Sequence, residues 1–244
     1  MELTILHLCP DCMSLYGEYA NIAVLRRCLE TLGVTVTVRE ITCEDTPDFS
    51  GADLIYMGAG TERRQKLALQ KLLPAADGLA HAVDQGTLLF FTGNAMETLG
   101  KSVTDAQGRV WDGLGLADFT TIETDKRDPG DVVAIPALWD ASAPIVGFMN
   151  KCSTTHGVTT PLCSKLTLGF GNESEHGAEG YVSGNILATH ITGPVLVKNP
   201  QFLHYIVTRL FQQKGWEIPE ALPVPPHQQE SYAVTLRELQ ARVK

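Results

Sequence analysis

The chain has 244 residues, is 44% hydrophobic and 19% charged, and carries a net charge of −9. That length suits one large α/β domain or two small ones, and the acidity, with basic residues scattered along the chain, argues against a nucleic-acid groove. No uncharged apolar run reaches the roughly 18 residues that a membrane span requires, and Met1-Glu2-Leu3-Thr4-Ile5 shows no export pattern, so a cytoplasmic location is expected.

Leu3 to Leu8 reads as a short apolar strand, followed by the turn Cys9-Pro10-Asp11-Cys12. Ile22, Leu25, Leu29 and Leu32 recur at helical spacing, with Gly33 placed as a C-cap. Val34 to Val38 alternates with threonine as a strand does, and Asp53 to Met57 is a further apolar strand ending in Gly58-Ala59-Gly60. Helices are expected through Leu67 to Leu73 and over Ala76 to Val83, ahead of the strand Leu88 to Phe91. Strands alternating with helices predict an α/β fold: a doubly wound, mostly parallel sheet whose sites lie beyond the strands' C-terminal ends. Cys9, Gly58 and Gly93 then open onto one edge.

Beyond Gly100, glycines punctuate short β-like segments at Phe119–Glu123, Val132–Ile135 and Ile145–Phe148, read as antiparallel additions flanking the same domain. The loop Gly169-Phe170-Gly171-Asn172 precedes a strand at Ile186–His190, and the stretch from Asn172 to Glu179, with His176, reads as a solvated hairpin. Thr192-Gly193-Pro194 turns into Val195-Leu196-Val197, and Phe202–Phe211 reads as a helix. Prolines then accumulate (Pro219, Pro223, Pro225, Pro226) before a short last helix near Val234–Val243. One domain over 1–211 with an extension over 212–244 is expected.

The organising stretch is Leu88-Leu89-Phe90-Phe91-Thr92-Gly93-Asn94-Ala95-Met96-Glu97-Thr98-Leu99-Gly100. A buried strand breaks into a tight turn and then into helix-compatible residues, an arrangement that in hydrolases carries the nucleophile at the apex. Here the apex is Gly93, which has no side chain.

Taken together these segments resemble the class I glutamine amidotransferase domains of the cobyric acid synthase type and, within that group, the small glutaminase subunit of lipid II isoglutaminyl synthases. The likeness is carried by His7-Leu8-Cys9-Pro10-Asp11, Leu15-Tyr16-Gly17, Asn21, Gly58-Ala59-Gly60 and Gln65. It continues through Asp125-Lys126-Arg127, Gly147-Phe148, Asn150, the 169–172 loop, Glu179-Gly180 and Gly193 to Pro200, from about residue 1 to 211. The resemblance implies glutamine hydrolysis in support of peptidoglycan amidation, with an ATP-dependent, Mur ligase-like subunit as partner and no cofactor. It places the substrate among Arg127, Gly58, Gly60 and Asn94, with the arginine holding the α-carboxylate of glutamine.

The departures fall on the chemistry. The family's elbow cysteine aligns with Gly93, and its catalytic histidine, which stands just before Gly-Pro, aligns with Thr192; His190 takes the place of a tyrosine. Glutamine hydrolysis of this kind needs a thiolate to attack the amide and an imidazole to activate it and protonate ammonia. Glutaminase activity is therefore expected to be absent or vestigial, leaving a partner or ligand-binding subunit for a small carboxylate or amino acid. Thr92 reads as a buried β-branched strand residue, whereas His190, two residues from Thr192, is the one substitute able to reach the old pocket.

The pair Cys9 and Cys12 offers a rival reading. A CxxC with an internal proline after a strand resembles the thiol pairs of redox proteins, where a helix start stabilises the thiolate, or half of a metal site. One pair does not complete a zinc site, and no spacing selects among Cys43, Cys152, Cys163, His7 and His156 as further ligands. Six cysteines in a chain this long otherwise read as buried apolar groups or thiols. An amino-acid-binding module unrelated to cell-wall chemistry is the third alternative.

Overall fold

A computed structural model describes residues 1–243. Six strands form the central sheet: β1 (Glu2–Leu8), β2 (Thr35–Ile41), β3 (Leu54–Met57), β4 (Leu88–Thr92), β10 (Tyr181–Ser183) and β11 (Ile186–Thr189). Their order is β10-β11-β4-β3-β1-β2, parallel throughout except for the antiparallel edge pair β10–β11. The crossovers are α1 (Tyr19–Thr31) between β1 and β2, and α2 (Glu62–Leu72) with α3 (Ala76–Asp84) between β3 and β4.

The inner strands β1, β3, β4 and β11 are buried on both faces, and their two-residue period divides the core. Leu3, Ile5, Tyr56, Leu88, Phe90 and Leu187 face α1 and the long helix α5 (Pro200–Lys214), which follows the single-turn α4 (Val195–Lys198). Leu6, Leu8, Ile55, Met57, Leu89, Phe91 and Ala188 face α2, α3 and the elbow. Gly33, at φ +80°, follows the last residues of α1 as the left-handed C-terminal cap expected there.

A second sheet stands beside the first. Its strands are β5 (Ser102–Thr104), β6 (Val110–Asp112), β7 (Thr120–Pro136) and β8 (Ile145–His156), ordered β6-β5-β7-β8, with β9 (Cys163–Leu168) also pairing to β7. The segments expected at 119–123 and 132–135 are thus parts of one strand. The polar run Asp125-Lys126-Arg127-Asp128-Pro129-Gly130 lies within this strand: 124–127 fall in a register shift between Glu123 and Asp128, and pairing with β8 resumes at Asp128, Pro129 and Gly130. Residues 195–198 are helical, and the last helix, α6 (Pro226–Gln240), starts well before the expected Val234, with Pro226 in its first turn. Tyr232 and Leu239 of α6 pack with Val133 and Val146 on the second sheet, Tyr232 donates a hydrogen bond to the Pro144 carbonyl at 2.8 Å, and Gln228 donates to the Val197 carbonyl at 2.8 Å. Among the described residues no helix is long and apolar enough to cross a membrane.

Candidate functional site

The C-terminal ends of β1, β3, β4 and β11 deliver Cys9, Gly58, Gly93 and His190 to one edge of the central sheet. After Thr92 the chain turns sharply at Gly93, at φ +61°, into a 3₁₀ turn over Gly93–Leu99. The conformation is left-handed, which glycine adopts without penalty. Space is as decisive as conformation: a Cβ built on Gly93 would lie 2.5 Å from the Ala59 Cβ and 2.9 Å from the Thr192 Cγ2. The apex therefore has no room for a side chain while Ala59 and Thr192 hold their places.

They are held firmly. Asn94 Oδ1 accepts from the Gly60 N–H at 2.9 Å and Asn94 Nδ2 donates to the Gly60 carbonyl at 3.0 Å, locking the elbow to the loop after β3. Gln65, fully buried on α2, donates to the Asn94 carbonyl and to Glu97 Oε2, both at 2.6 Å. Thr192 forms a two-way backbone bridge to Phe148 and donates its hydroxyl to the Phe148 carbonyl at 2.9 Å. Gly58 and Gly60 are close-approach glycines: a Cβ at Gly58 would meet Glu18 and the Met13 carbonyl, and one at Gly60 the Met13 sulphur and the Cys12 carbonyl.

Beneath the elbow lies Glu18, which sequence reasoning missed. Its carboxylate is fully buried and accepts from the Gly193 N–H at 3.0 Å, from Tyr56 at 3.0 Å and from the Thr92 hydroxyl. Asn21 adds a donor at 3.3 Å and accepts from the Leu196 N–H at 2.8 Å. Burial pushes the Glu18 carboxyl above its usual range, against the pull of these donors. Thr92 is buried, as its residue type led one to expect, but it serves this polar network as well as the packing.

Directly at the apex the cavity measures about 20 Å³, lined by Gly93, Asn94, Glu97, Cys152, His190 and Thr192 among others. That is room for about one water. His190 is buried between two carboxylates, Nδ1 3.5 Å from Glu179 and Nε2 3.7 Å from Glu97, and its backbone N–H donates to Glu179 at 2.6 Å. Glu179 is fully buried, so the solvated hairpin expected over 172–179 is anchored in the core at this end, and Asn172 is buried at the other. Ser153 donates to Glu97 at 2.5 Å, and the buried Lys151 donates to the Gly171 carbonyl.

A second overlooked group is Cys152, whose thiol lines the cavity and donates to Glu62 at 3.5 Å. Burial and then the Glu62 charge push this thiol up to about 12, so it stays protonated at neutral pH. Arg127 sits in β7 at the rim, donating to Glu62 at 2.8 Å and to the Asn150 carbonyl at 3.2 Å. Burial is the largest single influence and disfavours the Glu62 charge, but the Arg127 bond and charge, a backbone N–H and the Cys152 thiol together outweigh it and hold the carboxyl below its usual range.

The model of the CobB/CobQ-like glutamine amidotransferase domain matches residues 4–200. The chain belongs to this family. Two curated relatives are the lipid II isoglutaminyl synthase (glutamine-hydrolyzing) subunits GatD of Staphylococcus aureus strain N315 and Streptococcus pneumoniae strain ATCC BAA-255/R6. The first is 32% identical over 88% of this chain and 86% of its own length, the second 26% over 87% and 82%. The fold agrees: a crystal structure of a glutamine amidotransferase superposes with TM-score 0.51 at 13% identity over 86% of this chain and 98% of that one, and one from Thermotoga maritima with 0.50 at 9% over 99% and 97%. The doubly wound sheet expected from the sequence is the class I amidotransferase architecture.

The Cys9-Pro10-Asp11-Cys12 turn differs from its sequence reading. It does not open a helix: Cys12 and Met13 N–H groups both donate to the Cys9 carbonyl, at 3.0 and 2.7 Å, and α1 begins only at Tyr19. Cys9 itself is left-handed, at φ +49°. The helix-end stabilisation of a thiolate inferred from the motif is therefore missing. Cys43, which no spacing singled out, joins the pair, and the three Sγ atoms lie within 4.8 Å of one another.

Proposed function

We infer that this chain takes the place of the glutaminase subunit in a lipid II isoglutaminyl synthase without hydrolysing glutamine itself. The observation that carries the reading is the filled apex: Gly93 has no side chain, Ala59 and Thr192 occupy the space of its Cβ, and the cavity there holds about one water. An oxyanion would also find one neighbouring donor engaged, since the Gly60 N–H bonds Asn94. Glu62 supplies, from within the chain, the carboxylate that the family's arginine receives from glutamine, so Arg127 is already matched. Gly58, Gly60 and Asn94 then act as the packing that seals the elbow, and His190 as a residue clamped between Glu97 and Glu179. A free amino acid does not fit a one-water cavity, which disfavours the amino-acid sensor.

In this reading the chain docks on an ATP-dependent, Mur ligase-like subunit in the cytoplasm, which draws on free ammonia, and residues 212–244 extend a 1–211 amidotransferase-like domain. The two relatives, each named as a subunit of a synthase, support a partner-bound role. The test is ammonia release from glutamine by the purified chain, alone and co-expressed with a Mur ligase-like subunit from the same genome. No release above the protein-free rate in either state, with stable co-purification, is the expected result. Turnover abolished by Cys152→Ala would show instead that this thiol has taken over the nucleophile's work.

A further inference from the structure

The parallel pairing of β1 with β2 brings Leu8 opposite Ile41, so the chain leaves both strands side by side and carries Cys9 and Cys43 to the same place. The Cys9 N–H donates to the Ile41 carbonyl at 2.6 Å, and the tight turn that follows folds Cys12 back over Cys9. Asp11 ties the second loop down by accepting from the Cys43 N–H at 3.2 Å, and Asp45 closes it by accepting from the Thr42 N–H at 2.8 Å. Cys12 Sγ and Cys43 Sγ stand 2.7 Å apart, with Cys9 completing a triangle whose sulphurs are all within 4.8 Å. Cys9 and Cys12 are buried and Cys43 is half-buried, so one side of the triangle reaches solvent.

We propose that Cys9, Cys12 and Cys43 form a zinc(II) site of three thiolates with a water in the fourth position. Three sulphurs at about 2.3 Å from one ion sit roughly 3.8–4.0 Å apart, which the 4.8 Å triangle accommodates by small side-chain rotations. Soft thiolates select zinc(II) over hard cations. Binding replaces three S–H bonds with three Zn–S bonds and releases three protons, with no change of oxidation state. The Arg64 guanidinium, whose Nη1 donates to the Asp11 carbonyl at 3.3 Å, offsets the single excess negative charge. Cys9 holds its place in the triangle from a left-handed backbone, at φ +49°. The site is separate from the elbow and stands whether or not the chain hydrolyses glutamine.

The test uses the full chain, reduced and stripped with chelator, titrated with cobalt(II) as an optical probe and zinc(II) as competitor. One equivalent of cobalt(II) is expected to give thiolate-to-metal charge-transfer absorption with tetrahedral ligand-field bands, both bleached by zinc(II). Cys43→Ser should weaken binding by about 10-fold or more, no less than loss of an outer-shell partner does, while Cys28→Ala, outside the triangle, leaves it unchanged. Zinc(II) should raise the melting temperature of the unmodified chain and chelator should reverse the rise, a readout independent of any variant. Absence of charge-transfer absorption at one equivalent, or unaltered binding in Cys43→Ser, overturns the proposal. So does a Cys12–Cys43 disulfide that forms in a glutathione buffer and blocks metal uptake.

Discussion

At Gly93 two independent constraints coincide, a left-handed φ of +61° and a Cβ position already filled by Ala59 and Thr192. A left-handed residue other than glycine costs about 1–2 kcal/mol, and forcing a methyl into packed space costs about 1–3 kcal/mol. Gly93→Ala is therefore expected to lower unfolding free energy by roughly 2–5 kcal/mol in urea titration. The same geometry decides the restoration experiment. Introducing together the cysteine and histidine that the resemblance aligns there, Gly93→Cys with Thr192→His, is expected to leave ammonia release at the protein-free rate, because Ala59 still closes the apex. Recovery of turnover in that double variant would show that the loop after β3 yields and that the filled elbow is no barrier. Glu18 is the complementary case, a side chain whose removal leaves polar groups stranded. Glu18→Ala strips an acceptor from the buried Tyr56 and Thr92 hydroxyls and from the half-buried Gly193 N–H, at about 1–3 kcal/mol apiece. A loss of at least about 3 kcal/mol is expected, with Glu18→Gln losing less because it keeps an acceptor oxygen.

At the scale of elements, α6 covers the second sheet with few anchors, chiefly Tyr232 and Leu239 on Val133 and Val146 and the two hydrogen bonds of Tyr232 and Gln228. Tyr232→Ala is expected to cost about 2–3 kcal/mol, toward the low side for a buried aromatic because the cluster it leaves is small. Deletion of residues 226–244 should lower the melting temperature and raise binding of a hydrophobic dye, as Val133 and Val146 meet water. Unchanged melting would mean that the helix leaves that face readily in solution. Elements whose pattern is local could be read from the sequence alone: the continuous apolar runs of β1, β3 and β4, the helical spacing in α1 with Gly33 at its end. Those that depend on distant partners could not. β7 continues past a register shift at 124–127 because β8 pairs again from Asp128 onward, and nothing within 125–130 signals that pairing. The same limit applies at the two sites. Gly93 and Thr192 were readable as departures from a motif, since each is one position in an ordered string. Glu18, Cys152 and Cys43 were not, because their roles come from strand register and loop closure that bring together residues 31 to 175 positions apart.

The whole molecule integrates these buried groups in its response to pH. His7, on β1 against Tyr56, is 3% exposed, and its Nε2 has no hydrogen-bond partner among the described residues. Burial lowers this imidazole from 6.5 to about 4. Between those values the unfolded chain takes up a proton that the folded chain refuses, so stability is fully present above pH 6.5 and falls as pH drops toward 4. At about 1.4 kcal/mol per tenfold change in proton affinity, His7 alone removes up to roughly 3 kcal/mol. Glu18 works in the opposite sense: its raised carboxyl adds stability on the acid side that is lost as pH rises through its folded value. Lys151 acts at the alkaline end, where burial lowers its ammonium from 10.5 to about 8, and stability rises as pH climbs through that window. The three contributions are separable by substitution. His7→Phe keeps a ring against Tyr56 and removes the titration, so its urea-unfolding free energy is expected to lose the slope between pH 4 and 6.5 while the alkaline limb persists. Lys151→Met should do the reverse, flattening the rise above pH 8 and sparing the acid limb. If His7→Phe retains the full acid slope, the proton uptake belongs to another group in the buried network, and the isolation of His7 in the core would not govern acid unfolding.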